Sequence, residues 1–168
     1  MSEGNQASGL QLEPNMKHER REWRVQRFGW LGLALSCGAA LAGLLGPGPL
    51  SQRHEGKIGS ALYFEYERFV RYRAPSSLKV YCRLSEARDE FTLSLNRAWV
   101  EKVQIKGIQP EPIKATAAGE NYVFQFELSG NDEQLVTIQF EPDTFGSLNG
   151  TLALDEKVSH RFKQFVWP

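Results

Sequence analysis

The pattern of hydrophobic and polar positions changes once along this chain, from a continuous apolar run to short alternating segments. The run extends from Phe28 to Leu45 (FGWLGLALSCGAALAGLL), contains no charged residue, and is followed by uncharged sequence as far as Arg53. As an α-helix its eighteen residues would span roughly 27 Å, close to the ~30 Å hydrocarbon core of a bilayer. The run therefore predicts one transmembrane helix.

The sequence on either side sets the bounds of this helix. Residues 16–27 (MKHERREWRVQR) are mostly good helix formers without Gly or Pro, so we expect the helix to begin a few turns before the bilayer. The GPGP sequence at 46–49 should end it by about Leu45, because proline removes backbone donors. Arginine and aromatic side chains are typical of membrane interfaces, and we assign this role to Arg20, Arg21, Trp23, Arg24, Arg27, Phe28 and Trp30.

The charges around the run predict its orientation. Five Lys or Arg residues lie in 1–27, whereas only Arg53 and Lys57 occur in the first fifteen residues after Leu45. The positive-inside rule then places the N-terminus in the cytoplasm. A cleaved signal peptide is the main alternative, but it would have a shorter leader and a shorter apolar core. A lipoprotein cysteine at Cys37 is disfavoured because apolar sequence continues after it.

From Ala61 onward, hydrophobic residues alternate with polar ones in short segments. Leu78–Leu84 and Phe91–Leu95 alternate in this way, and a period of two is typical of half-buried strands. A last run, Val158–Trp167, carries Phe162, Phe165 and Trp167 to the end of the sequence. With turn residues between the segments, the pattern predicts an all-β domain: an antiparallel β-sandwich of immunoglobulin-like type with about seven to nine strands and no internal helix.

Two turns are predicted inside this domain. Tyr122–Leu128 and Val136–Phe140 both alternate, and Ser129-Gly130-Asn131-Asp132 between them predicts an antiparallel hairpin. Asn149-Gly150 lies between apolar residues and predicts a second turn. Asn149-Gly150-Thr151 also matches the N-glycosylation pattern, which is the alternative interpretation.

The segment Ala61–Arg73 (ALYFEYERFVRYR) is ambiguous between a strand and a helix. As a strand it places Leu62, Phe64 and Tyr66 on one face, with a phase break at Phe69 that requires a bulge. As a helix it places Leu62, Tyr66, Phe69 and Arg73 on one face. We favour the strand.

These patterns divide the chain into four parts: a disordered cytoplasmic tail (1–15), a juxtamembrane and transmembrane helix (16–46, with the span at about 28–45), a linker (47–60) and an extracytoplasmic β-domain (61–168). The whole chain has 20 basic and 20 acidic residues, which is unlike a nucleic-acid-binding protein. Its two cysteines, Cys37 and Cys82, lie in different parts, so no internal disulfide is expected.

No motif in the β-domain predicts catalysis, a metal or a cofactor. Cys82 and the histidines His54 and His160 could form a nucleophilic pair, but Cys82 falls on the apolar side of its strand, where a thiol behaves as a small hydrophobe. There is no C-x-x-C, H-x-H or H-E-x-x-H. The acidic pairs Glu65/Glu67, Asp89/Glu90, Asp132/Glu133 and Asp155/Glu156 are mostly in turn regions, where solvated charge is the ordinary explanation. We therefore expect that the protein is not an enzyme.

The apolar run also carries a candidate packing surface. Small residues recur every four positions, at Ala34, Gly38, Ala42 and Gly46, and such stripes let membrane helices approach closely. Gly and Ala are also common in membrane helices for no specific reason, so the spacing supports helix packing and incidental composition equally. A second patch, Tyr66–Arg73, interleaves aromatic and basic residues. It is explained by a solvated strand face, with a partner-docking patch as the alternative.

In layout the chain resembles the uncharacterised bacterial single-pass inner-membrane proteins that carry a small periplasmic β-domain. The resemblance lies in RREWRVQRFGWLGL before and within the run, GPGPLS after it, and a β-patterned remainder ending in VWP. It implies an N-terminus in the cytoplasm and a C-terminal domain in the periplasm, and it implies no activity.

The sequence therefore predicts an accessory or scaffold protein whose β-domain contacts another membrane or envelope protein. The bilayer is the other expected partner, nucleic acid is not expected, and self-association through the helix is an additional possibility. The alternative is an envelope ligand-binding module, for instance for a glycan, using exposed aromatics such as Tyr63, Tyr72 or Trp99. An enzyme of unrecognised type is a third.

Overall fold

The computed structural model of the chain describes residues 16–43, 48–84, 89–128 and 133–168, and for 16–21 it describes the backbone only. The predicted tail (1–15) and the predicted turn Ser129–Asp132 lie outside these ranges. The described chain forms two compact units that divide between Gly38 and Ala39.

The first unit consists of most of helix α1, which runs from Met16 to Leu41 and so lies within the predicted 16–46. Every described side chain from Glu22 to Gly38 is exposed. None of the helices in the described ranges is both long and apolar enough to cross a membrane.

The second unit is a sandwich-like all-β domain of two sheets. In chain order its elements are β1 (Gln52–Glu55), β2 (Leu62–Glu67), β3 (Phe69–Arg71), β4 (Ser76–Arg83), β5 (Glu90–Asn96), α2 (Arg97–Val100), β6 (Val103–Gln109), β7 (Lys114–Ala118), β8 (Asn121–Glu127), β9 (Glu133–Pro142), β10 (Gly146–Leu154) and β11 (Val158–Trp167). Sheet A has the order β1-β2-β4-β9-β6 and sheet B the order β3-β11-β10-β5-β8-β7. All pairings between neighbours are antiparallel except β3 with β11.

The described residues thus contain eleven strands rather than the predicted seven to nine. The additional strands are short edge segments, such as β1 (QRHE) within the range predicted as a linker and β7 (KATAA), in which no residue is buried. Because these segments bury no side chain in the core, their residues do not alternate between apolar and polar, and the alternation pattern does not predict them.

The core lies between the sheets and is centred on Trp99, which is 0 % exposed. Its ring meets Phe140 at 4.9 Å and Phe162 at 5.7 Å between centroids, both edge-on. Two predictions are therefore wrong: Trp99 is not an exposed aromatic, and the domain does contain an internal helical turn, α2. That turn connects sheet B to sheet A and directs the indole inward.

The ambiguous segment Ala61–Arg73 is extended, so the strand prediction is confirmed. The phase break is not a bulge, however, because β2 belongs to sheet A and β3 to sheet B. Ser51 forms hydrogen bonds with the backbone at the point where the chain passes from sheet A to sheet B. Its carbonyl oxygen accepts from the Arg68 N–H at 2.6 Å, and its hydroxyl oxygen lies 3.0 Å from both the N and the O of Phe69.

The predicted hairpin between Tyr122–Leu128 and Val136–Phe140 is wrong. The first segment is β8, which pairs with β5 and β7 in sheet B, and the second is β9, which pairs with β4 and β6 in sheet A. Two consecutive half-buried strands alternate identically whether they pair with each other or face each other across a core.

The predicted turn at Asn149-Gly150 is also wrong, because both residues lie inside β10. Gly150 pairs with Phe162 across the β10–β11 ladder, and a Cβ built on Gly150 would overlap the Phe162 ring. Glycine is therefore required at this point for close packing against an aromatic ring, not for chain reversal.

Candidate functional site

The outward face of sheet A carries the most complete candidate site, and it begins over β1, β2 and β4. Here the surface forms a depression of ≈ 400 Å³, which we call the sheet A cleft. It is lined by Pro49, Gln52, Arg53, His54, Glu65, Tyr66, Glu67, Ser77 and Lys79.

An aromatic row, defined as His54, Tyr63 and Tyr81, borders this cleft. Tyr63 and Tyr81 are cross-strand partners with ring centroids 5.5 Å apart, and the His54 ring lies 5.8 Å from that of Tyr63. Tyr81 is also paired with Leu135, which is 46 % exposed and extends the apolar border onto β9.

A polar row runs beside the aromatic row, one pleat further along the strands. Its members are successive cross-strand partners: Glu65, Lys79, Thr137 and Gln109. The Tyr63 hydroxyl donates to Glu65 Oε1 at 3.1 Å, which connects the two rows. Partial burial raises the pKa of Tyr63, and the Glu65 carboxylate acts in the same direction, so the phenol stays a neutral donor.

The charged groups in the cleft do not form ion pairs with one another. Glu65, Glu67 and Lys79 lie on the outward face, whereas Arg53 pairs with the buried Tyr66 and so belongs to the other side of β1. Among the described residues no ion pair involves Lys79 or Arg53. The Glu67 carboxylate accepts from the Ser76 hydroxyl at 2.9 Å. These groups are therefore available to a polar ligand.

The polar row leads to a second depression, of ≈ 660 Å³, at the opposite edge of sheet A. Thr137 and Gln109 end the row there, and Gln139 and Gly107 lie beside them. The two depressions share one face of the sheet, which is about 19 Å wide because its five strands are spaced ~4.8 Å apart.

A different surface, the basic–aromatic face, lies on the outside of sheet B at β3 and β11. Phe165 pairs with Phe69 and stacks edge-on against Trp167 at 4.9 Å, and it is 37 % exposed. The cations Arg71, Arg161 and Lys163 are exposed, and β3, β10 and β11 contain no acidic residue. Part of this surface, Phe69 and Arg71, belongs to the aromatic–basic segment singled out in the sequence.

The predicted helix-packing residues are only partly on one element. Ala34 and Gly38 lie in α1, Ala42 lies in the turn after it, and Gly46 lies outside the described residues. A Cβ added to Gly38 meets nothing within 4 Å, so this side of the helix is open.

All the predicted membrane-interface residues lie in α1: Arg20, Arg21, Trp23, Arg24, Arg27, Phe28 and Trp30. The guanidinium carbon of Arg27 stands 3.5 Å from the centroid of the Trp23 ring. Trp23, Phe28 and Trp30 are more than half exposed. Their role at an interface stays a prediction.

Cys82 is buried, as its strand pattern predicts. Burial raises the pKa of its thiol to about 12, with a smaller contribution from Asp155, so the nucleophilic thiolate is suppressed. Among the described residues, no group of three or more His, Cys, Asp and Glu side chains could hold a metal ion.

Sequence reasoning identified Tyr63 but missed Tyr81, Lys79 and the polar row. Tyr63, Glu65, Lys79 and Tyr81 all occupy the polar positions of alternating strands. An aromatic residue at an outward-facing strand position, such as Tyr81, is the sequence signal that could have indicated this site. Only the register of β2 with β4 brings Tyr63 and Tyr81 together. No protein-family model matches the chain, and no curated protein matches it either.

Proposed function

We propose that this chain is a single-pass membrane-anchored accessory protein that displays an immunoglobulin-like β-sandwich as an interaction domain in the bacterial periplasm. The observation that carries the proposal is the apolar surface of α1. Trp30, Leu31, Leu33 and Leu35 are each more than half exposed. At 100° per residue they point in several directions around the helix axis.

A helix that is apolar on all sides is stable only when lipid or protein surrounds it. The fourteen residues from Phe28 to Leu41 in α1 correspond to about 21 Å, and the apolar sequence continues to Leu45. A bilayer is the surrounding that also suits the Arg and Trp residues before the run. The repeated passage of the chain between sheets, as at β4–β5 and β8–β9, is consistent with an immunoglobulin-like arrangement.

The membrane proposal is tested by placing charge on α1. Leu31→Lys with Leu35→Lys should move the protein from carbonate-washed membranes to the soluble fraction, because each lysine costs about 2.5–3.5 kcal/mol in the centre of a bilayer. The matched control is Ile58→Lys, which adds the same charge to a side chain that is 87 % exposed in the sandwich unit. If the double variant stays in the membrane pellet, the anchor proposal is wrong.

The basic–aromatic face is the surface we assign to the envelope partner, since aromatic and arginine side chains dominate binding energy at protein interfaces. Crosslinking in membranes followed by co-purification should recover a discrete partner. Arg71→Glu with Lys163→Glu should abolish that recovery, whereas Lys114→Glu with Lys157→Glu, an equal change of charge elsewhere, should not. Recovery of an uncrosslinked monomer from the unmodified protein counts against an accessory role.

The membrane-embedded surface of α1 could also contact a second copy of the chain, and the open surface at Gly38 favours such self-association. Ala34→Leu with Gly38→Leu should then reduce homotypic crosslinking, because bulk at small-residue stripes keeps helices apart. Unchanged crosslinking would assign the exposed face of α1 to lipid alone.

A further inference from the structure

We propose that the outward face of sheet A is a binding site for an uncharged oligosaccharide. None of its residues belongs to the basic–aromatic face or to α1, so it adds a ligand-binding activity to the membrane-anchored role proposed above. We infer this site because the aromatic row and the polar row lie side by side on the same face of sheet A.

The two rows present different chemistry to the same ligand. The aromatic row offers ring faces at Tyr63 and Tyr81, with centroids 5.5 Å apart and planes tilted by 45°. The polar row lies about 7 Å away, the length of two residues along a strand, and offers carboxylate, ammonium, hydroxyl and amide groups. A sugar ring has an apolar C–H face and hydroxyl groups at its edge, so a ring lying on a tyrosine directs its hydroxyls toward the polar row.

The charged groups on this face are of both signs. Glu65 and Glu67 lie beside Lys79, and among the described residues Lys79 forms no ion pair. An anion would be repelled by the two carboxylates, and a cation would be repelled by the ammonium group. Hydroxyl groups, by contrast, can donate to the carboxylates and accept from the ammonium group at once.

The site is long enough for an oligomer and too long for a single sugar to fill. The cleft of ≈ 400 Å³ and the second depression of ≈ 660 Å³ lie at opposite edges of one sheet and are joined by Lys79 and Thr137, which are cross-strand partners. Thr137 and Gln109 offer uncharged hydrogen-bonding groups in the second depression, and Glu111 adds a carboxylate to its lining. A chain of several sugar rings crossing the strands would occupy both.

The test uses the full chain in a zwitterionic detergent without a sugar headgroup. Cellohexaose, maltohexaose and chitohexaose are titrated by calorimetry, with hexagalacturonate and an acidic peptide as charged comparisons. At least one of the three uncharged oligomers should bind saturably, and the charged ligands should not compete. Tyr63→Ala and Tyr81→Ala should each raise Kd roughly three- to tenfold through loss of a stacking surface.

Two variants separate recognition from folding. Tyr63→Phe keeps the ring and loses only the bond to Glu65, so it should bind better than Tyr63→Ala. Tyr72→Ala removes a tyrosine that packs on Phe145, outside both rows, and should leave Kd unchanged.

The proposal is overturned if none of the uncharged oligomers binds at millimolar concentration, or if the folded double variant Tyr63→Ala/Tyr81→Ala binds as well as the parent. It is equally overturned if only a charged ligand binds, since sheet A would then face an acidic glycan or a protein segment. Membrane retention and partner recovery should be unaffected by these substitutions, so the two proposals fail independently.

Discussion

At the scale of single residues, a hydrogen-bond chain crosses the core of the sandwich. Trp99 Nε1 donates to Gln164 Oε1 at 3.1 Å, and Gln164 Nε2 donates to the backbone oxygen of Glu67 at 2.9 Å. Gln164 is only 1 % exposed. One amide therefore joins α2, β11 and β2, and it satisfies the buried Trp99 N–H and the partly buried Glu67 carbonyl.

Gln164→Leu should lower the free energy of unfolding by about 1–3 kcal/mol, because it leaves the Trp99 N–H and the Glu67 carbonyl without partners. Urea denaturation followed by tryptophan fluorescence measures this change. Gln139→Leu, on the exposed face of β9, should change stability by less than about 0.5 kcal/mol. Equal effects for the two variants would contradict the importance of the hydrogen-bond chain.

Cys82 gives a residue-scale prediction about pH. Its folded pKa of about 12 exceeds the ordinary 9.0, so the unfolded thiol loses its proton first as pH rises. The stabilisation is complete below about pH 9 and declines up to about pH 12, with a slope near 1.4 kcal/mol per pH unit.

Between about pH 8 and pH 10.5 the parent should therefore lose about 2 kcal/mol more stability than Cys82→Ala, which has no thiol to titrate. Burial also raises the pKa of Tyr66, but Tyr66 is present in both proteins and contributes equally to their pH dependence. Chemical denaturation at several pH values gives the difference. Parallel pH profiles would show that Cys82 ionises normally.

At the scale of elements, alternation predicts strands well and their partners poorly. The last strand, Val158–Trp167, has the predicted bounds, and β4 and β5 follow their alternating residues closely. Their apolar sides are buried, and burial is what a period of two reports. The assignment of β8 and β9 to different sheets depends instead on long-range packing, which no local pattern encodes. The cleft is unpredictable for the same reason, since Glu65 and Lys79 become neighbours only through the register of β2 and β4.

The hairpin that joins β10 to β11 has a turn sequence that residue preferences do not predict. Its central residues are Asp155 and Glu156, with φ of 49° and 58°, and the Lys157 N–H bonds to the Leu154 carbonyl at 3.0 Å. Two positive φ angles define a type I′ turn, for which Asn-Gly or Asp-Gly is usual. The chain instead has Asn-Gly inside β10 and a glutamate where glycine is favoured.

Glu156→Gly should therefore stabilise the sandwich by up to about 1 kcal/mol, since glycine adopts positive φ without a Cβ penalty. Thermal denaturation should show a higher Tm. Lys157→Gly, at the next position, lacks a positive φ to relieve and should lower Tm or leave it unchanged. A lower Tm for Glu156→Gly would mean that the carboxylate stabilises the turn more than its backbone conformation costs.

At the scale of the whole molecule, the proposed anchor and the proposed binding surfaces are separate in sequence. The five Lys and Arg residues before Phe28 and the two in the first fifteen residues after Leu45 predict that the sandwich is on the far side of the membrane from the N-terminus. Cysteine labelling can test this without removing any part of the chain, because Cys82 is buried and its raised pKa makes it unreactive.

In a Cys37→Ser background, Ser159→Cys on the exposed side of β11 should react with a membrane-impermeant maleimide in intact bacterial spheroplasts. Ser8→Cys, in the N-terminal segment, should react only after the membrane is permeabilised. The Cys37→Ser parent without an added cysteine is the control for residual labelling of Cys82. The reverse pattern would place the sandwich in the cytoplasm, and its cleft would then meet cytoplasmic rather than envelope glycans. Equal labelling of both sites without permeabilisation would mean that the chain is attached to one outer surface and does not cross the bilayer.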